Sequence, residues 1–135
     1  MIGLDTNVVV RYLTQDDPRQ CRAVNDLFQK AARSEEAAFW LNSVVLAEVV
    51  WVLESMYGYA RQEIAQALTL LLAVRQLEVE RRQIVKWALD AFASGAADFA
   101  DYFIAALDRY AGCEATLTFD RTAARVPGFS LLPLN

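Results

Sequence analysis

Apolar and polar positions along the 135 residues fall into two rhythms, short runs that suit strands and stripes that suit helices. Ile2-Gly3-Leu4 is short and apolar, and Asp5-Thr6-Asn7 follows with capping chemistry, which predicts a strand leading into a helix. Val8-Val9-Val10 fits a strand better by propensity, with a tightly buried helix as the alternative. Asp17-Pro18 sets an N-cap before Pro at the first helical position and opens a helix through about residue 32. Residues 37–41 read as a second strand, after which Ser43 is expected to cap a helix that stops at Gly58. Residues 61–74 carry apolar positions at helical spacing, and residues 77–80 alternate like a short edge strand. A helix over residues 83–93 puts Ile84, Trp87, Ala88, Ala91 and Phe92 on one stripe before Ser94-Gly95 breaks it. Residues 98–111 are amphipathic and end at Gly112, residues 115–119 form a third strand closed by Asp120, and residues 129–132 add a last one. This alternation predicts a single α/β domain over residues 1–135 with a central, mostly parallel sheet. Ligands in such sheets sit beyond the carboxyl ends of the strands, the edge where Asp5 and Asp120 are both expected.

The pattern is least ordinary at Glu48. Val44 and Val45 lie one turn before it, Trp51 and Val52 one turn after, so a buried apolar face is expected around it. An ionised carboxylate there costs several kcal/mol unless something pairs with it. The chain has no His, and the nearest basic residue in sequence, Arg61, lies well beyond that turn. Glu48 is then protonated, paired with a distant Arg, or bound to a cation.

Composition narrows the chemistry. The hydrophobic fraction of 56% predicts a sizeable core and an apolar interface besides. No apolar run approaches a membrane span, and the N-terminus lacks the pattern of a signal peptide. Cys21 and Cys113 are far apart and suggest neither a disulfide scaffold nor a zinc site, so a reducing cytoplasm is expected. Without His, Ser-His-Asp and Cys-His catalysis and His-ligated metals are excluded together. Carboxylates remain as the main reactive groups. The net charge of −4 argues against a broadly basic nucleic-acid surface, though not against a local one. Of the thirteen basic residues only Lys30 and Lys86 are lysine, and arginine suits bidentate phosphate contacts; a GC-rich genome explains the same preference more simply.

Five acidic positions stand at element ends or beside apolar faces. Asp5 and Asp120 follow strands, Glu48 lies on the helix after the second strand, and Asp98 and Asp101 share a helix face. Taken singly, Asp98 is most simply a cap or a partner of the helix dipole. Asp101 sits a turn further in, among Phe99, Phe103 and Ile104, where a carboxylate is harder to solvate. Asp108 is expected to pair with an Arg. Carboxylates about 5 Å apart repel by roughly 3 kcal/mol per pair at an effective dielectric near 20, so their convergence would need protons or cations. Oxygen-only ligands suit Mg²⁺ or Mn²⁺, held by Asp5, Glu48 and Asp101 with Asp120 or Asp98, as one ion or two. Asn7 is a candidate to orient Asp5, Thr6 and Ser43 to present hydroxyls at helix starts, and Thr118 to donate to a carboxylate or phosphate. Arg11 and Arg121 are candidates for phosphate contacts, with a surface salt bridge as the plainer role for each.

Ile2-Gly3-Leu4-Asp5-Thr6-Asn7, Ser43 with Glu48 five later, residues 98–106, and Thr118-Phe119-Asp120-Arg121 together resemble the PIN-domain ribonucleases, above all the VapC-type toxins of toxin–antitoxin pairs. The resemblance extends through the closing residues 124–129. It implies a three-layer α/β/α fold and a Mg²⁺- or Mn²⁺-dependent endoribonuclease acting on structured RNA such as tRNA or ribosomal RNA. By that resemblance Asp5, Glu48 and Asp101 match the three acidic positions of the family, Asp120 a more variable fourth, and Asp98 a frequent acidic neighbour. It further implies a homodimer and a small cognate antitoxin, for which Trp51, Met56, Tyr57 and residues 70–72 are expected to supply an apolar groove. Two other readings stay open on the residues alone: a metal-dependent DNase or phosphoesterase on the same fold, and a non-catalytic α/β binding module with a structural cation.

Overall fold

Strand β1 (Ile2–Gly3) ends where capping chemistry begins: Asp5 is extended, and its Oδ1 accepts the Thr6 amide at 2.8 Å. Helix α1 (Thr6–Thr14) starts there, in a computed structural model that describes all of residues 1–135. Val8-Val9-Val10 is therefore helical. α1 packs on α2 (Pro18–Ala31) and α3 (Ser43–Ser55), and Val9 and Val10 are buried. Propensity separates residue types by only a few tenths of a kcal/mol, which the burial of two valines exceeds. Asp17 caps α2 as expected, its Oδ1 accepting from the Arg19 and Gln20 amides at 3.1 and 3.0 Å. Rings then tie α1, α2 and β2 (Phe39–Leu41) together, Tyr12 on Phe28 at 4.3 Å and Phe28 on Phe39 at 4.8 Å.

The cap of α3 is Asn42, not Ser43. Its Oδ1 accepts the Val45 amide at 2.8 Å, so the expected helix begins one cap earlier. Ser43 becomes the first helical residue, and its amide donates to Glu80 Oε1 at 2.7 Å. That bond is the main cause holding the Glu80 carboxyl below its ordinary range. The nearby Ser43 hydroxyl adds to the effect.

β2 lies between β1 and the edge strand β3 (Leu77–Val79), all parallel, with Ile2 opposite Phe39 and Phe39 opposite Leu77. Helix α4 (Arg61–Ala73) joins α3 to β3 and buries Ile64, Leu68 and Leu71. Arg75 donates to the Ser34 carbonyl at 2.8 Å, and Arg82 to the Leu77 carbonyl at 3.2 Å and to that of Leu72.

Residues 1–82 form one compact unit and residues 83–135 a second. The second contains most of α5 (Arg82–Ser94), then α6 (Phe99–Tyr110), β4 (Thr116–Thr118), a 3-10 turn (Ala123–Arg125) and β5 (Phe129–Leu131). β4 and β5 pair in parallel, so the expected α/β class with parallel pairing holds, with its strands divided between two short sheets. The buried stripe of α5 is Val85, Ala88, Leu89 and Phe92, and Trp87 is exposed. Two apolar stripes at helical spacing overlap in that segment, and the one without the indole turns inward. No helix is long and apolar enough to cross a membrane.

Gly95 is required by a close approach. A Cβ there would stand 1.8 Å from the Tyr102 hydroxyl and 2.8 Å from the Ala91 carbonyl oxygen. Tyr102 is itself buried, and the carbonyl belongs to the helix. Gly95→Ala is expected to lower unfolding free energy by about 1–3 kcal/mol, as overpacking does, measured by urea denaturation. Wild-type stability in that variant would mean that Tyr102 yields without cost.

Candidate active site

The first unit brings Asp5, Thr6 and Glu48 together. Thr6 is buried, and its hydroxyl donates to Glu48 Oε1 across from α1 to α3. The Thr6 amide donates to Asp5, so one residue orients both carboxylates. Asn7 was the expected partner of Asp5; it stands exposed beside the same cleft, and the amide of Thr6 makes the contact. The cleft has a volume of about 430 Å³, and Asp5, Thr6, Arg11, Glu48, Trp51 and Tyr57 line it.

Glu48 is exposed, which overturns the buried position expected from its neighbours. α3 is apolar on nearly every face, and it buries Leu46, Val49, Val50 and Leu53. Its outward stripe carries Glu48 between Val44 and Trp51, which are 78% and 60% exposed. Apolar neighbours on a helix mark a core only when something covers them, and here nothing in the chain does. Met56 and Leu70 are also exposed, but Leu71 is in the core and leaves the expected apolar groove.

In the second unit, burial and the nearby charges of Asp98 and Asp120 push the Asp101 carboxyl above its ordinary range, burial being the larger cause. Asp98 occupies the N-cap position of α6, yet its side chain makes no capping hydrogen bond. Asp120 follows the carboxyl end of β4, and its Oδ1 accepts the Thr122 and Ala123 amides at 2.8 and 3.3 Å. The Thr118 hydroxyl oxygen accepts the Asp120 amide at 3.0 Å, fixing the turn rather than reaching outward. Arg121 is exposed beside it. Asp108 takes the Thr116 hydroxyl at 2.6 Å in place of the Arg expected for it.

No group of three or more Asp, Glu or Cys side chains is gathered in a metal-holding arrangement. The donors nevertheless fit a hard divalent cation by chemistry: all are carboxylate or hydroxyl oxygens, and Asp101 with its two acidic neighbours carries charge that a cation would offset.

One set of contacts in the cleft was not foreseen from sequence. Arg11 Nη1 donates to the Tyr57 hydroxyl at 2.7 Å and to Asp16 Oδ1 at 3.2 Å, and the Tyr57 hydroxyl donates to Asp16 Oδ2 at 2.8 Å. Arg11 and Tyr57 are 46 residues apart, and no short-range pattern marks such a pair.

A family model described as PIN domain matches residues 2–128. No curated protein matches the chain. Among solved structures the chain is similar to VapC20 of Mycobacterium tuberculosis, described as a sarcin–ricin loop cleaving toxin. The two share 17% identity and a TM-score of 0.40, over 98% of this chain and 100% of that one.

A raised folded-state pKa means that ionised Asp101 opposes folding, a cost present at neutral pH and removed as pH falls below the ordinary carboxylate range. Asp101→Asn is therefore expected to raise the melting temperature of the metal-free protein at neutral pH. The gain should stay below about 1 kcal/mol, because solvent screens a side chain this open. Scanning calorimetry at pH 7 and pH 4 checks this: the gain should shrink at the lower pH, and a lower melting temperature at pH 7 would contradict it.

Proposed function

Since the chain belongs to the PIN-domain family, which covers residues 2–128, we propose that it is a metal-dependent endoribonuclease and the toxin of a toxin–antitoxin pair. The observation that carries this reading is that family match, with the acidic residues inside it oriented rather than scattered. Thr6 holds Asp5 and Glu48, and Asp101 feels Asp98 and Asp120. Asp5, Glu48 and Asp101 would hold Mg²⁺ or Mn²⁺, with Asp98 or Asp120 as the fourth acidic ligand. Bound there, the ion would supply the Lewis acidity that acidifies a water and offsets charge on the phosphoryl oxygens.

The chain's own residues account for the remaining requirements. The Thr6 hydroxyl occupies one oxygen of Glu48 and leaves the other for a ligand. The amides of Thr122 and Ala123 fix the Asp120 carboxylate against rotation. Asp98 spends no oxygen on capping α6. No His, and no cysteine beside these carboxylates, is needed as a nucleophile, because hydrolysis of a phosphodiester by water requires only that water be placed and charge be offset.

RNA is the substrate class in this reading, with a structured RNA as the target. The exposed apolar side chains Val44, Met56 and Leu70 are the surface we assign to a second copy or to a small antitoxin. The cytoplasm is the compartment in which such a pair would act.

The test is digestion of total RNA with Mg²⁺, with Mn²⁺ and with EDTA, wild type beside Asp5→Asn, with single-stranded DNA and a generic phosphoester in parallel. Discrete RNA fragments are expected that vanish with EDTA and fall at least about a hundredfold in the variant. Cleavage at the wild-type rate by Asp5→Asn would overturn the assignment. Cleavage of DNA or of the phosphoester instead would move the enzyme to another substrate class.

A further inference from the structure

The Arg11 guanidinium has five N–H donors, and three are committed inside the chain. Nε donates to Gln20 Oε1 at 2.6 Å, while Nη1 donates to the Tyr57 hydroxyl and to Asp16 Oδ1 at 2.7 and 3.2 Å. The Tyr57 hydroxyl closes a triangle by donating to Asp16 Oδ2 at 2.8 Å, and the Thr14 hydroxyl donates to Asp16 Oδ1 at 2.8 Å. The two Nη2 donors take no part in these bonds.

The backbone is bent to make this triangle. Gln15 ends α1 in the left-handed region at φ 55°, which turns Asp16 back toward Arg11, and its side chain donates to the Arg11 and Tyr12 carbonyls at 3.3 and 3.0 Å. Gly58, at φ 67°, turns the chain immediately after Tyr57. A lone exposed ion pair contributes about 0–1 kcal/mol and would not by itself account for the side chains of Gln20, Tyr57 and Asp16 all converging on one guanidinium. What the arrangement does achieve is to fix a long, flexible side chain before any ligand arrives, which lowers the entropy lost on binding.

Its place gives that fixation a use. Arg11 lines the same cleft as Asp5 and Glu48, and the exposed indole of Trp51 lines it too, one helical turn beyond Glu48 on α3. A guanidinium edge for a phosphate and an open aromatic face for a base are the two elements that single-stranded nucleic-acid sites combine. We infer that this cleft is a nucleotide subsite for the substrate RNA, in which Tyr57 and Asp16 position Arg11 to bind a backbone phosphate and Trp51 stacks the adjoining base. The inference rests on the ribonuclease reading above and adds to it where the strand lies in the first unit and which residues hold it.

The experiment is fluorescence anisotropy of a labelled ten-nucleotide single-stranded RNA across a salt series, with every protein carrying Asp101→Asn so that the RNA stays intact. Arg11→Gln should weaken binding about tenfold and lower the slope of log affinity against log salt by about 0.7. Tyr57→Phe should weaken binding on its own and have no further effect in the Arg11→Gln background, which a merely structural role for Tyr57 would not produce. Trp51→Ala should weaken binding about tenfold with the salt slope unchanged, and Trp51→Phe should restore most of it. Melting curves of each protein accompany the titrations. Wild-type affinity and slope in Arg11→Gln would overturn the inference and leave the cleft to a protein ligand. So would a full, additive loss from Tyr57→Phe in that background. Absence of metal-dependent RNA cleavage by the wild-type protein, read separately on a gel, would instead overturn the ribonuclease reading.

Discussion

A single buried hydroxyl organises the acidic end of the first unit. Thr6 is buried, and its hydroxyl donates to Glu48 while its amide donates to Asp5. Both bonds depend on α1 starting at Thr6, and so on Asp5 acting as its cap. They depend equally on α1 lying against α3, which the burial of Val9, Val10, Val49 and Val50 secures. A buried hydroxyl without a partner costs roughly 1–3 kcal/mol, so Glu48 contributes to stability by accepting from Thr6.

This arrangement explains why Glu48 can be an exposed carboxylate on an otherwise apolar helix. α3 has more apolar surface than its own core requires, and Val44 and Trp51 flank Glu48 in the open. An exposed apolar stripe around a charged group is costly to leave in water unless something binds there. The nucleotide subsite assigned to Arg11 and Trp51 gives one side of that stripe a ligand, and an antitoxin or a second copy would cover the rest. The second unit is built on a different principle. There burial, and after it the charges of Asp98 and Asp120, raise the Asp101 carboxyl above its ordinary range.

Much of this was legible before any coordinates. Local signals with a mechanism placed the elements: Asp5 and Asp17 as caps, Pro18 in the first turn, and the β-branched and aromatic runs of β2 and β4. The errors arose where distance in space mattered. Asn42 displaced Ser43 as a cap because two capping residues stand side by side, and only the geometry of the Val45 amide chooses between them. Val8-Val9-Val10 was ambiguous because propensity is weak and packing decided it. Glu48 reads as a core position in sequence because neighbours along a helix say what surrounds a residue, not what covers it. The Arg11–Tyr57–Asp16 triangle joins the ends of three helices and leaves no trace in periodicity.

The central claim is that the Thr6 hydroxyl orients Glu48 for a divalent cation, and Mn²⁺ binding tests it most directly. Thr6→Val removes the hydroxyl with little change in shape, and Thr6→Ser restores it. Free Mn²⁺ followed by electron paramagnetic resonance should show an affinity about ten- to a hundredfold weaker in Thr6→Val and near wild type in Thr6→Ser. Equal Mn²⁺ affinity in wild type and a folded Thr6→Val protein would contradict the account.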